Sequence, residues 1–216
     1  MEMSSADIDR MRRIVRHRLL NIVSGVKSAN TMLASQLDDR LTPREREYFP
    51  LIQNECDQVT VIVNRMDELF GSVPPPTPAP LETSLSAIMD ELQHSFPLAE
   101  MELLISVNDD QRTICAAVLR IVLSEAVRNA FEISRKPITI HLCDVGESCS
   151  VSVVDQGKPA SGETCKMAFE PFYSGRTRHL GVGLSIAKRA VEERGGSVSF
   201  TAEPDGNIVK FILPYI

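Results

Sequence analysis

The chain has 216 residues, 43% of them hydrophobic and 5% aromatic, with no Trp and a formal net charge of −6. That length suits one or two domains with an aliphatic core, and the acidic balance argues against a nucleic-acid partner, which calls for a basic patch. The five cysteines (Cys56, Cys115, Cys143, Cys149, Cys165) include no C-x-x-C pair, so they predict neither a metal cluster nor a disulfide framework and suit a reducing, cytoplasmic setting.

The opening MEMSSADIDRMRR lacks the apolar core of a signal peptide. No apolar run approaches the length of a membrane span, so neither a membrane partner nor a membrane-crossing sensor is expected on this chain. Ile8, Met11, Val15, Leu19, Ile22, Val26, Ala29, Leu33 and Leu37 then recur every three or four residues, the pattern of an amphipathic helix. His17 lies on the opposite face with Arg10, Arg13, Asn21, Ser24 and Ser28. A histidine so placed is commonly a plain surface residue. Its chemical reading is a nucleophile, because a neutral imidazole attacks well near its ordinary pKa of about 6.5. Arg10 and Arg13 draw an anionic donor or an acidic partner surface, and Asn21, one turn on, can orient a phosphoryl group or a water.

A second helix begins at LTPRE, with Thr42 as N-cap, Pro43 at the first helical position and Glu45 closing a capping box. Phe49, Ile52, Cys56, Val59, Val63, Met66 and Phe70 repeat at heptad spacing. Pro50 is expected to bend this helix, since it has no N–H for the preceding turn. The few residues near Asp38–Leu41 force an antiparallel hairpin. Two helices enclose a thin core, so two hairpins are expected to pair as a four-helix bundle, making the chain a homodimer through residues 1–70.

GSVPPPTPAP, residues 71–80, reads as an extended spacer. After it, Leu85–Phe96 is predicted helical, MELLISV a strand and 112–133 a buried helix. PITIHLCDVGESCSVSVVDQG is expected to form two strands around a Gly-containing turn. Residues 182–194 are predicted helical, and SVSFTAEPDGNIVKFILP a hairpin turning at Asp205-Gly206. The fold class is therefore an N-terminal helical hairpin followed by an α+β sandwich, a mixed sheet with helices on one face.

Within the buried helix, Arg120, Ser124 and Arg128 form a wet face. Glu125 and Asn129 instead continue the apolar stripe of Ile114, Val118 and Val122. Burying an unpaired carboxylate costs several kcal/mol, roughly, so the pair needs a partner: protein, water, metal or ligand. Asp155 and Gly157 end a strand; the carboxylate can accept from an adenine amino group, although Asp-x-Gly is also an ordinary turn. The stretch 158–180 is a long glycine-bearing segment, basic at Arg176, Arg178 and His179, with the length of a lid. Gly181 and Gly183 stand where a helix begins and let backbone amides approach phosphates; glycines there also serve simply as a flexible joint.

Taken in order, these pieces resemble the histidine kinases of two-component signalling, whose ATP-binding domain belongs to the superfamily of DNA gyrase and the Hsp90 chaperones. RHRLLN resembles the H box, SEAVRNA the N box, DQG the G1 box, FEPFYSG the F box of the lid, and GVGLSIAKRAVEERGGSV the G2 box. The resemblance implies residues 1–70 as a dimerisation and phosphotransfer domain, 71–80 as a linker and 81–216 as an ATP-binding catalytic domain. It implies His17 as phosphoacceptor, Asn129 as Mg²⁺ ligand with Glu125 holding a metal-bound water or polarising an attacking one, Asp155 and Gly157 at the adenine, and Gly181, Gly183 and Leu184 along the nucleotide. The implied reaction is autophosphorylation of His17 from Mg²⁺–ATP, with transfer to an Asp of a response-regulator receiver domain. No sensor domain is visible in the sequence, so a sensor protein in trans is one source of input.

The sequence departs from the pattern in places. Arg18 follows the acceptor His where an acidic residue is usual, Ile22 stands where a Pro often follows the residue matching Asn21, Pro159 replaces a G1 glycine, and the glycine expected near His179 is missing. These touch phosphotransfer and the lid more than nucleotide binding. The alternative reading is a phosphotransfer adaptor with a relic ATP domain, relaying phosphate between other proteins through His17; an ATP-switched interaction module is a third.

Overall fold

The computed structural model describes residues 5–71, 73, 75–107, 112–174 and 180–216. The chain divides into two compact units, Met1–Ser72 and Val73–Ile216.

The first unit is a hairpin of α1 (Ser5–Leu37) and α3 (Tyr48–Phe70), joined by a 3-10 turn at Asp38–Arg40 and the short α2 (Pro43–Arg46). The capping box forms: Thr42 Oγ1 accepts from the Glu45 N–H, and Glu45 Oε2 accepts from the Thr42 N–H at 2.8 Å. Those bonds to Thr42 hold the exposed Glu45 carboxyl below its ordinary range. Helix and proline conflict one turn early. The predicted continuous helix is interrupted at Glu47, because Pro50 offers no N–H to the carbonyl of Arg46, four residues back. Asn30, buried on α1, braces the restart by donating from Nδ2 to the Phe49 carbonyl at 2.9 Å.

The face of α1 that meets α3 carries Val23 and Asn30, opposite Cys56 and Val63. Lys27 pairs with Asp57 at 2.6 Å, and Arg12 and Arg16 flank Asp67, each at 3.6 Å. The apolar stripe from Ile8 to Leu33 is not that face. Ile8, Met11, Val15, Leu19, Ile22, Val26 and Leu33 remain exposed, as do Ile52, Val59, Met66 and Phe70 of the heptad seam. One hairpin leaves much of its apolar surface open.

In the second unit, β2 (Met101–Ser106), β4 (Ile138–Val145), β5 (Ser148–Asp155), β7 (Gly206–Pro214) and β6 (Ser197–Glu203) form one sheet in the order β2-β4-β5-β7-β6. Only β2 and β4 run parallel, and the chain between them crosses over through α5 (Ala116–Ser134). Period-2 alternation sends Ile138, Ile140 and Leu142, then Cys149, Val151 and Val153, then Val209, Phe211 and Leu213 into one buried layer. Over it pack α4 (Leu81–Ser95), α5 and α7 (Gly183–Glu192), through Leu85, Ile88, Val118, Val122, Ala187 and Val191 among others.

Four local expectations are corrected. Residues 113–115, expected as helix, are a strand, β3 (Thr113–Cys115), and the end of the proline-rich stretch, β1 (Pro78–Pro80), pairs antiparallel with it. Two prolines are tolerated in β1 because it is an edge strand. The turn between β6 and β7 is centred on Pro204-Asp205, with Gly206 already paired to Glu203. The long segment 158–180 is not all loop. It contains α6 (Gly162–Met167), capped by Ser161, which accepts from the Thr164 N–H at 3.1 Å. Phe169 is buried edge-on against Phe211, with ring centroids 6.4 Å apart and planes at 83°. Arg176, Arg178 and His179 lie outside the described residues.

Candidate nucleotide and phosphoacceptor sites

The α5 stripe behaves as its period dictates. Val118 and Val122 are fully buried, Glu125 is 6% exposed, and Asn129 is half-buried one turn further on. Glu125 lies 4.0 Å from the Arg128 guanidinium, an ion pair too long to be a hydrogen bond. The next position of that stripe is Ile133, about 6 Å along the axis from Asn129. A side chain on Gly157 would meet Ile133 Cγ2 at 2.6 Å and Asp155 Oδ1 at 2.7 Å. So the end of β5 abuts the end of α5, and the turn after Asp155 is brought to the same stretch of helix as Asn129.

Asp155 is 2% exposed, and its Oδ1 accepts from the Gly157 N–H at 2.7 Å and from Asn207 Nδ2 at 3.0 Å. Both bonds fall on one oxygen; among the described residues Oδ2 takes none. A carboxylate fixed by one oxygen presents the other as an acceptor for an exocyclic amine.

Gly181 has φ +67°, and a side chain there would lie 2.5 Å from the Tyr173 carbonyl oxygen. That conformation and that approach both require glycine. The Phe172 N–H donates to the Gly181 carbonyl at 2.9 Å, which ties the two ends of the intervening segment together. Gly183 is the first residue of α7, while Leu184 turns into the apolar core. Gly183 itself places no side chain over the first amides of α7, and Leu184 packs into the core.

Among the described residues no group of three or more His, Cys, Asp or Glu side chains is placed to hold a metal. A Mg²⁺ carried in on a triphosphate keeps several waters and needs only one or two protein oxygens, which Asn129 and Glu125 have the chemistry to supply.

In the other unit, His17 is exposed on α1 and its Nδ1 lies 3.2 Å from the Asn21 side-chain amide. Arg10, Arg13 and Arg18 are exposed around it. The predicted residues thus gather as His17 with Asn21 on the hairpin, and Asp155 with Gly157 beside the Asn129 helix in the second unit.

Sequence reasoning missed Gly206 and Asn207. Asn207 is 1% exposed. Its signal was present: it falls on the inward face with Val209, Phe211 and Leu213, a polar residue in an apolar period. Placing the turn at Asp205-Gly206 hid it.

Residues 116–216 match the family model of the histidine kinase-, DNA gyrase B- and HSP90-like ATPases. The chain is 22% identical to the sensory histidine kinase/phosphatase NtrB of Rhodobacter capsulatus, over 94% of this chain and 61% of that protein. It is 27% identical to the sensor histidine kinase ZraS of Klebsiella oxytoca, over 93% of this chain and 44% of that one. In fold it is similar to full-length ShkA in complex with AMPPNP, with a TM-score of 0.77 at 19% identity, covering 95% of this chain and 46% of that one. It is also similar to the histidine kinase ThkA in complex with the response regulator protein TrrA, with a TM-score of 0.65 at 19% identity, covering all of this chain and 68% of ThkA's. The chain thus spans between 44% and 61% of the length of these two curated relatives. Residues 116–216 form an ATP-binding domain of this ATPase family. Over nearly its whole length the chain is similar to sensor histidine kinases. Among the described residues no helix is long and apolar enough to cross a membrane.

Proposed function

We propose that the chain is an ATP:protein-histidine kinase that phosphorylates His17 and hands the phosphoryl group to an Asp of a response-regulator receiver domain. The observation that carries this reading is the His17–Asn21 pair. An imidazole exposed on a rigid helix, with one ring nitrogen engaged at 3.2 Å by a side-chain amide, leaves its other nitrogen open to solvent. The two ends of an amide are interchangeable in shape. With Asn21 Oδ1 turned to the ring, Nδ1–H donates to it and the lone pair stands on Nε2. Nε2 then takes the γ-phosphoryl as the bond to the departing ADP breaks, and Asn21 Oδ1 stabilises the positive charge growing on the ring. Arg18 is no base; the Nδ1 proton leaves to water once Nε2 is phosphorylated, because the ring is exposed.

In the second unit, Asp155 would accept the adenine amino group on Oδ2 while Gly157 lets the ring pass close. Asn129 would give its carbonyl oxygen to Mg²⁺, with Glu125 holding a metal-bound water. Gly181, Gly183 and Leu184 would set the start of α7 against the phosphates. Bound Mg²⁺–ATP supplies the transferable phosphoryl group and neutralises the charge that develops on it. Residues 1–70 would act as the dimerisation and phosphotransfer domain, 71–80 as linker and 81–216 as the catalytic domain. The exposed stripe of α1 and the seam of α3 favour a homodimeric four-helix bundle. A groove of about 600 Å³ between the two helices, lined by Leu20, Val23, Lys27, Gln53 and Thr60 among others, has room for a partner's side chains. A cytoplasmic setting and a sensor protein acting in trans complete the reading.

Incubation with γ-³²P-ATP and Mg²⁺ tests it. Wild type is expected to label, and His17→Gln and Asn129→Ala to stay unlabelled. Equal labelling of wild type and His17→Gln, or labelling of neither, overturns the kinase reading. Nucleotide titration separates the alternative: a phosphotransfer adaptor with a relic domain would bind no ATP even with Mg²⁺ present.

A further inference from the structure

A base-reading carboxylate must be held as well as present. A side chain free to rotate pays entropy on binding and presents its acceptor in the wrong direction part of the time. The strand neighbouring Asp155 supplies both the space and the grip. Asp155 and Asn207 are cross-strand partners on β5 and β7. A side chain at Gly206 would come within 1.8 Å of the Asp155 carbonyl oxygen, so only glycine lets β7 approach that backbone. Asn207 then spends its amide on the turn: Nδ2 donates to Asp155 Oδ1 at 3.0 Å and to the Lys158 carbonyl at 3.2 Å, and Oδ1 accepts from the Ala160 N–H at 2.8 Å. With its donors committed in this way, Asn207 acts through Asp155 and the 157–160 turn, not on a ligand.

We infer that Gly206 and Asn207 together position the nucleotide-reading carboxylate: glycine admits the strand, and the asparagine amide locks Oδ1 of Asp155 while pinning the turn that follows it. This rests on the reading in which Asp155 recognises the adenine amino group. Asn207 is a positioning residue. It fixes which oxygen faces the base before any nucleotide arrives, and it ties that orientation to the shape of the turn beside Gly157.

The test measures two things on the full chain: Mg²⁺–ATP affinity by calorimetry, and amide hydrogen exchange at Gly157 and Ala160 without nucleotide. Asn207→Asp separates the two tasks of the side chain. It keeps an acceptor for the Ala160 N–H but puts an oxygen where the donor to Asp155 stood. Affinity is expected to fall about tenfold or more, the scale of one buried hydrogen bond, while Ala160 stays protected. Asn207→Ala is expected to lose the affinity and the Ala160 protection together. Asn207→Ser, small and neutral, covers the case that a second buried carboxylate unfolds the domain; it should show the Asn207→Ala pattern with a retained cooperative melt. Asp155→Asn is the control. If it weakens ATP while folded Asn207 variants bind as wild type does, the positioning role is wrong and the adenine reading stands. If Asp155→Asn binds like wild type, the adenine reading is wrong and the positioning role falls with it.

Discussion

The Gly157 N–H donates to Asp155 Oδ1 at 2.7 Å, and the same glycine leaves no room for a β-carbon between that oxygen and Ile133 of α5. One residue therefore closes the turn and sets the spacing between strand end and helix. Gly157→Ala must push the Asp155 side chain or Ile133 aside, and the flexible carboxylate yields first. Mg²⁺–ATP affinity is expected to drop at least about tenfold, with a melting temperature close to wild type, as calorimetry and a thermal melt would report.

In the proposed reading Asn21 engages His17, at 3.2 Å, and not the nucleotide. Asn21→Ala should slow His17 labelling by about tenfold or more, the worth of one charge-assisted hydrogen bond, with the KM for ATP unchanged. A rise in KM at constant kcat would place Asn21 in nucleotide binding and contradict the assignment.

Ile22 is 62% exposed on α1 with Leu19 and Val26 beside it on the open stripe. If that stripe is the dimer seam, Ile22→Glu buries a charge at each copy of the interface, which costs several kcal/mol or so per ion. Sedimentation velocity is expected to show wild type as a dimer and the variant as a monomer. Identical sedimentation of the two would remove this face from the interface.

Phe211 is fully buried and meets Phe169 edge-on. Phe211→Ala should destabilise the second unit by about 3–5 kcal/mol, read as a lower urea midpoint. Phe169→Ala should cost less, since Phe169 is 8% exposed where Phe211 is fully buried.

Burial pushes the Cys149 thiol up from 9.0 to about 11. Burial, and then the bond its hydroxyl donates to Asp144 at 2.5 Å, push the Tyr215 phenol up as well. Both groups hold their protons more tightly folded than unfolded, so the thiol's contribution is whole below pH 9 and is lost as the pH climbs through about 11, while the phenol's is whole below pH 10.0 and is lost at higher pH still. Urea midpoints of wild type are expected to fall across that window. Cys149→Ala should flatten the fall without abolishing it, because Tyr215 remains; an unchanged slope would contradict the thiol's share.

Where periodicity spoke, the fold was legible. The stripe of α1, the capping box at Thr42 and Glu45, and the alternation of β4, β5 and β7 fixed those elements within a few residues. The reading failed where one residue had two uses. Asp205-Gly206 looks like a hairpin turn, but Gly206 is needed one step later, against the Asp155 carbonyl. Phe169 lies in a stretch rich in loop residues, yet its ring belongs to the core, and that tertiary fact shortened the loop. At the candidate site, Asp155 was marked by its place at a strand end ahead of a glycine, and Asn129 by being a polar residue inside an apolar period. Asn207 obeyed the same rule and was overlooked once the turn had been misplaced by one residue.

Pro78 and Pro80 are two of the three residues of β1 paired with β3, and neither has an N–H to give. The seam instead leans on its ends, where the Leu81 N–H reaches the Arg112 carbonyl at 2.9 Å and the Ala116 N–H reaches Thr77 at 3.3 Å. A ribbon fastened so sparsely is the natural place for the second unit to begin fraying. Its amides should trade deuterium long before those of β5, so the stretch of chain leading into the second unit can come loose while the sheet behind it stays whole.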